Sequence, residues 1–277
     1  MSTAGPPLGA PPRGAVLREA LPPGEGPNTP VLRVDKLAKA FGGVDAVRDV
    51  SFAVGAGELV ALIGPNGAGK TTCFNLVNGQ LRPDAGTVEL LGSRIDGLPP
   101  RAISRMGVGR TFQVAALFAS MTVRENVQLA LLARTGDDRT IRAPATRCMR
   151  GDADSLLEHV RMTEFADQGC ATLAYGNAKR VELALALAAA PRLLLMDEPT
   201  AGMSPRSRGR LMELAARLAR EQSIAVLFTE HDMDVVFGHA DRVIVLDHGR
   251  VIAEGPPEAI RGNARVQAVY LGEGGSA

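Results

Sequence analysis

Residues 58–72 read ELVALIGPNGAGKTT, and no other stretch restricts the fold of this chain as much. The apolar run from Leu59 to Ile63 has the length and continuity of a short strand buried on both faces. It stops at Gly64, and helix-compatible sequence resumes at Lys70. Between them, GPNGAGKT fits the phosphate-binding pattern G-x-x-x-x-G-K-[ST] at Gly64, Gly69, Lys70 and Thr71. Glycines at 64, 67 and 69 let the backbone curl with its N–H groups turned inward, at angles a Cβ resists. The first turn of the helix adds unpaired N–H donors and the positive end of its dipole. Lys70 supplies a mobile charge for β- and γ-phosphates, and the Thr71 hydroxyl suits Mg²⁺. With 31 glycines in 277 residues, glycine alone proves little, but lysine is scarce: four against 27 arginines. A lysine at this spot in an arginine-rich chain favours a phosphate cradle over a plain glycine turn.

The remainder fits an α/β protein. A length of 277 residues allows one large or two small domains. Net charge of +1 gives no general pull toward nucleic acid or anionic lipid. The cysteines Cys73, Cys148 and Cys170 lack metal-ligand spacing and form no even disulfide framework, which fits a reducing cytosol. Cys73, just inside the loop's helix, is either a packing residue or a reactive thiol. Residues 1–30 hold eight prolines and five glycines without periodicity and are expected to be a flexible tail. No segment has the apolar core of a secretory signal or the ~20 apolar residues of a membrane span.

Ordered sequence is expected over residues 31–273, with 274–277 a short tail. Strands are expected at residues 31–37 and 49–54 around Gly42-Gly43, at 87–91, and near Val108. Phe41, just before that turn, is either core or a plate on which a base stacks. Helices are expected at 70–78 and 101–105. Residues 115–172 change character: helical periods at 123–132 and 154–165 flank a loop bearing Arg139, Arg142, Arg147 and Arg150. This predicts an inserted helical subdomain, its arginines a solvated surface or a partner contact. From Tyr175 the α/β pattern returns, with helices at 181–190 and 205–220 and strands at 193–197, 225–229 and 242–246. Strands alternating with helices, one feeding a phosphate loop, predict a mostly parallel sheet covered on both faces.

LLLMDE at residues 193–198 ends an apolar strand in two carboxylates. In a phosphate-loop protein an acid at the tip of the strand beside the loop holds Mg²⁺, which is the expectation for Asp197. Glu198, one residue beyond the tip, suits a base that takes a proton from attacking water. His231 follows a strand, where parallel sheets gather ligands, and is expected at the γ-phosphate. Gln113, also past a strand, is a candidate for sensing Mg²⁺ and the attacking water.

Phe41, GPNGAGKTT, Gln113, LAYGN, LLLMDEP and His231 come in the order and spacing of the nucleotide-binding subunits of ATP-binding cassette (ABC) transporters, which residues 31–273 resemble. FGGVDAVRDVSF, GRTFQ, LAYG, EHDM and YLGE are similar to the ATPases of branched-chain amino acid importers, with urea and amide importers as relatives. The resemblance implies a P-loop NTPase core, an N-terminal antiparallel β subdomain and the helical insertion. It implies ATP and Mg²⁺ as cofactors, with ATP held by Phe41 on the adenine and by Gly64, Pro65, Asn66, Gly67, Ala68, Gly69, Lys70, Thr71 and Thr72. It makes Thr71, Gln113 and Asp197 metal contacts and Gln113 the link to membrane subunits. Leu173, Ala174, Tyr175, Gly176 and Asn177 become the signature motif, which closes the nucleotide of a second subunit. Where the family commonly has LSGGQ, Ala174 lacks the hydroxyl and Asn177 is one methylene shorter; Ala and Tyr there recur in the amino acid importer branch. Ser204 stands where most of the superfamily has Asp.

The implied protein sits peripherally at the cytoplasmic face of the inner membrane and pairs with itself or a paralogue. Its partners are permease subunits and, indirectly, a periplasmic or extracellular substrate-binding protein, with no nucleic acid. The alternatives are an export ATPase of the lipopolysaccharide-extraction type, or a soluble ABC ATPase. The latter would carry two cassettes, a long coiled coil or a basic stripe, and the sequence has none of these.

Overall fold

A computed structural model describes residues 30–111, 117–135 and 149–272. The expected tail, Gln113, Cys148 and the loop arginines Arg139, Arg142 and Arg147 lie outside the described residues.

Two sheets enclose one helix. Strands β1 (Leu32–Phe41), β2 (Val44–Val54), β4 (Ala85–Leu90) and β5 (Ser93–Arg94) form an antiparallel sheet in the order β2-β1-β4-β5. The second sheet runs β10-β9-β3-β8-β7-β6, from β3 (Leu59–Ile63), β6 (Val108–Thr111), β7 (Leu193–Asp197), β8 (Ala225–Thr229), β9 (Arg242–Asp247) and β10 (Arg250–Gly255). All its pairings are parallel except β9–β10. Continuous apolar runs suit such strands because both faces are covered. Val60, Leu62, Leu195, Leu227 and Leu246 turn toward α1 (Lys70–Val77) and the antiparallel sheet. Their neighbours Ala61, Ile63, Met196 and Phe228 turn toward α3 (Val123–Thr135), α4 (Arg150–His159), α5 (Tyr175–Ala188) and α6 (Pro205–Gln222). The remaining helices are α2 (Pro100–Arg105), α7 (Met233–His239), α8 (Pro257–Arg261) and α9 (Ala264–Gly272).

Several boundaries differ from the sequence expectation for physical reasons. β1 and β2 run on past residues 37 and 49 because register shifts break their alternation. Lys36 and Asp49 have positive φ, and Ser51 Oγ accepts from the Lys36 N–H at 2.8 Å. The helix expected at 154–165 is α4 followed by a separate 3₁₀ turn at Thr163–Phe165, with Arg161 between them at φ +57°. α5 begins at Tyr175, not at 181, because Ala174 in the N-cap position offers no side-chain cap to announce it. β7 is not beside β3: β8 lies between them.

Candidate nucleotide-binding and hydrolysis site

The site lies where the parallel strands end. After β3 the chain turns through Gly64, where a Cβ would fall 2.2 Å from the Leu246 carbonyl oxygen. Gly69, at φ +103°, would put a Cβ 2.4 Å from the Ala46 carbonyl oxygen. Both positions therefore require glycine. Gly67, at φ +80°, lies in open space with Asn66 exposed beside it, while Ala68 is buried and its carbonyl accepts from the Gly249 N–H at 3.0 Å. Gly249 donates there and accepts from the Arg48 N–H at 2.7 Å. The antiparallel sheet, the phosphate loop and the β9–β10 turn thus meet in one backbone junction.

Lys70 is 8% exposed, and its Nζ donates to the carbonyls of Gly64 at 2.5 Å and Pro65 at 2.9 Å, inside the curl of the loop. No side chain caps α1, so its first N–H groups and the exposed Thr71 hydroxyl form the anion-facing end, with Thr72 half-buried behind them. Cys73 is fully buried and its thiol is pushed up to about 12 by desolvation, which makes it a packing residue and not a nucleophile.

Asp197 ends β7. Its Oδ1 accepts from Thr229 Oγ1 at 2.8 Å, and its Oδ2 lies 3.2 Å from a guanidinium nitrogen of Arg110. Arg110 also donates to Asn75 Oδ1 at 3.0 Å and Gln80 Oε1 at 3.1 Å, tying β6 to α1 and to β7. Carboxylate and hydroxyl oxygens at Asp197 and Thr71, on packed elements, are hard donors of the kind Mg²⁺ takes together with phosphate oxygens and water. Glu198 follows at φ +46°, and its N–H is held by Thr229 through O at 3.2 Å and Oγ1 at 3.1 Å. That turn aims its carboxylate at the next loop, where His231 Nε2 donates to Oε1 at 2.8 Å. His231, expected at a phosphate, is thus first of all a partner of Glu198. Both side chains keep access to solvent, 49% for His231 and 25% for Glu198.

Phe41 is 47% exposed at the tip of β1, which rules out the core alternative. The Lys39 ammonium sits 5.6 Å from its ring centroid and 2.6 Å from Asp84 Oδ1, while Asp84 Oδ2 accepts from the Ala40 N–H at 2.8 Å. One face of the ring is therefore backed by a held cation. Lys39 beside Asp84 keeps that carboxyl below the usual range.

Leu173, Ala174, Tyr175, Gly176 and Asn177 gather elsewhere, at the start of α5. A Cβ on Gly176 would meet Met203 Cε at 3.5 Å and Ser207 Cβ at 3.7 Å, ordinary contacts. Among the described residues nothing demands glycine there. Tyr175 is 45% exposed, with the buried Lys179 ammonium 5.9 Å from its ring. Arg110, Thr200 and Glu230 were given no role from the sequence, although Arg110 lies within GRTFQ and Glu230 within EHDM; an arginine in a four-residue strand that is otherwise buried was a further signal.

A glycine cradle with an inserted lysine after one strand, and a carboxylate pair and a histidine after two others at the same end of a parallel sheet, define a phosphate-loop nucleotide-binding cassette. The chain belongs to the ABC transporter family, whose model matches residues 47–201, and residues 250–276 match the model described as branched-chain amino acid ATP-binding cassette transporter. It is 41% identical over 251 residues to the high-affinity branched-chain amino acid transport ATP-binding protein BraF of Pseudomonas aeruginosa, covering 88% of this chain and 98% of that protein. Among solved structures, it is similar to an ABC-transporter ATP-binding cassette in its ADP conformation (29% identity, TM-score 0.80, 88% of this chain and 100% of that one). It is also similar to a dimeric cassette in a post-hydrolysis state bound to ADP and Pi (26% identity, TM-score 0.69, 82% and 98%). Among the described residues no helix is long and apolar enough to cross a membrane.

Proposed function

We propose that this chain is the ATP-hydrolysing subunit of an importer of branched-chain or closely related amino acids, working as a dimer beneath membrane permease subunits fed by a substrate-binding protein. The observation that carries the reading is the 2.8 Å contact between Glu198 and His231, one residue beyond Asp197, at the same end of the parallel strands from which the Lys70 loop departs. Lys70 and the backbone N–H groups of residues 66–72 hold the phosphates. Thr71 and Asp197, with Gln113 as the resemblance implies, would hold Mg²⁺, which would supply charge neutralisation for the phosphates. Glu198 accepts a proton from the attacking water, and His231 holds the carboxylate in line. Gly176, with room to spare in its own chain, faces the nucleotide of the second subunit. Import is favoured over lipopolysaccharide-type export by the match of residues 250–276 and by the likeness to BraF.

In the native host, loss of this chain is expected to abolish ATP-dependent uptake of radiolabelled leucine, isoleucine and valine. A plasmid copy restores uptake, and a Glu198→Gln copy does not. Uptake that survives the deletion rejects the substrate assignment. For the base platform, Phe41→Ala is expected to raise the KM for ATP and for GTP several-fold alike. Stacking contributes ~1–3 kcal/mol and hardly distinguishes purines. An unchanged KM in steady-state hydrolysis would remove Phe41 from the site.

A further inference from the structure

Glu230 is a buried carboxylate that no step above employs. It is 4% exposed, yet it stands next to His231, and its Oε1 accepts two bonds from Thr200: from N at 2.8 Å and from Oγ1 at 2.6 Å. Thr200 is itself 1% exposed and lies two residues after Glu198. The other carboxylate oxygen of Glu230 faces the His231 N–H at 3.3 Å. The parallel ladder of β7 and β8 ends at Asp197↔Thr229. Beyond that rung the two loops bearing Glu198 and His231 are free to diverge. Glu230 bridges them there, deeper in the protein than the Glu198–His231 contact. A second bridge lies further out, where Arg208 donates to the Met203 carbonyl at 2.8 Å and to the Asp232 carboxylate. A carboxylate is costly to bury, and an apolar pair would fill the same space more simply. Glu230 instead offers one oxygen to two donors of a single residue, which fixes distance and direction together.

We infer that Glu230 is a positioning residue for hydrolysis: through Thr200 its carboxylate sets the spacing between the loop that carries Glu198 and the loop that carries His231. The inference rests on the ATPase reading above, since it concerns the same pair.

Glu230→Leu leaves both Thr200 donors without their acceptor. In the full-length chain kcat is expected to fall about 10- to 100-fold with the KM for ATP within about twofold, because the cradle is untouched. Glu230→Gln keeps an amide oxygen for both Thr200 donors but sets its NH2 group against the His231 N–H, and is expected to fall between wild type and Glu230→Leu. Thr200→Val keeps the N–H and the shape and loses only the hydroxyl bond, for a drop of about three- to tenfold. Rates are taken per ATP-binding site, so a merely structural role would lower the melting temperature and leave kcat per site unchanged. A Glu230→Leu chain with wild-type kcat per site overturns the inference. Should Glu230→Leu not fold, wild-type kcat in Thr200→Val overturns it. Glu198→Gln separates the two readings. A wild-type chain without ATPase activity, or an active Glu198→Gln chain, defeats the parent reading and this inference with it. An inactive Glu198→Gln beside an unaffected Glu230→Leu defeats this inference alone.

Discussion

Glu198→Gln is expected to bind ATP as the wild type does and to hydrolyse it about 10²–10⁴ times more slowly, about 3–5 kcal/mol of barrier. The amide oxygen can still accept from His231 Nε2, so the loop geometry defined by the 2.8 Å contact persists. What disappears is a group able to take a proton from water. The cradle is unaffected, because Lys70 and the Gly64 and Pro65 carbonyls it donates to belong to a different strand end. Equilibrium binding of ATP beside phosphate release checks both halves. Turnover within a few-fold of wild type rejects Glu198 as the base. Lys70→Ala provides the contrast, since it fails at binding.

Gly176→Glu is expected to fold and to bind ATP nearly normally while losing hydrolysis by about 10²–10³. A Cβ at 176 meets Met203 and Ser207 at ordinary distances, so the backbone of the start of α5 accepts a side chain there. The start of α5 carries no side-chain cap, which leaves N–H donors and a positive dipole end suited to an anion. In the proposed composite site, a carboxylate placed there would oppose the γ-phosphate held by the second subunit. Mixing this chain with Lys70→Ala puts both lesions into one site of the mixed dimer and leaves the other site whole. If the sites act independently, a 1:1 mixture of freely exchanging dimers recovers about a quarter of wild-type activity. No recovery, with mixed dimers demonstrated by crosslinking, excludes independent shared sites.

The strands and the cradle were legible because their physics is local. β3, β7 and β8 match the expected boundaries residue for residue, each an uninterrupted apolar run ended by a glycine or a polar side chain. Glu198 and His231 were each recognised by standing just past a strand. Their direct contact was not, since 33 residues separate them and only the shared edge of β7 and β8 brings them together. The same holds for Arg110, Thr200 and Glu230, whose partners are 30 or more residues away. The edge strand β10 and the start of α5 escaped for a different reason: one is half-exposed and the other lacks its cap, so neither carries a periodic or capping signal.

β8 acts as a spacer. With one strand inserted between β3 and β7, the cradle's strand and the carboxylates' strand stand about 10 Å apart, two interstrand intervals fixed by ladder bonds. That interval is set by main-chain atoms and is indifferent to the side chains along it. Its members are heavy, buried on both faces and slow to rearrange. The light members are the loops after β7 and β8, held to each other by the side chains of Glu198 and His231, Thr200 and Glu230, and Arg208 and Asp232 in place of a ladder. In a transporter, a membrane subunit that sets the pace of hydrolysis therefore has no need to deform the sheet. It works as a watch escapement does, releasing or arresting a small lever against a frame that keeps constant length.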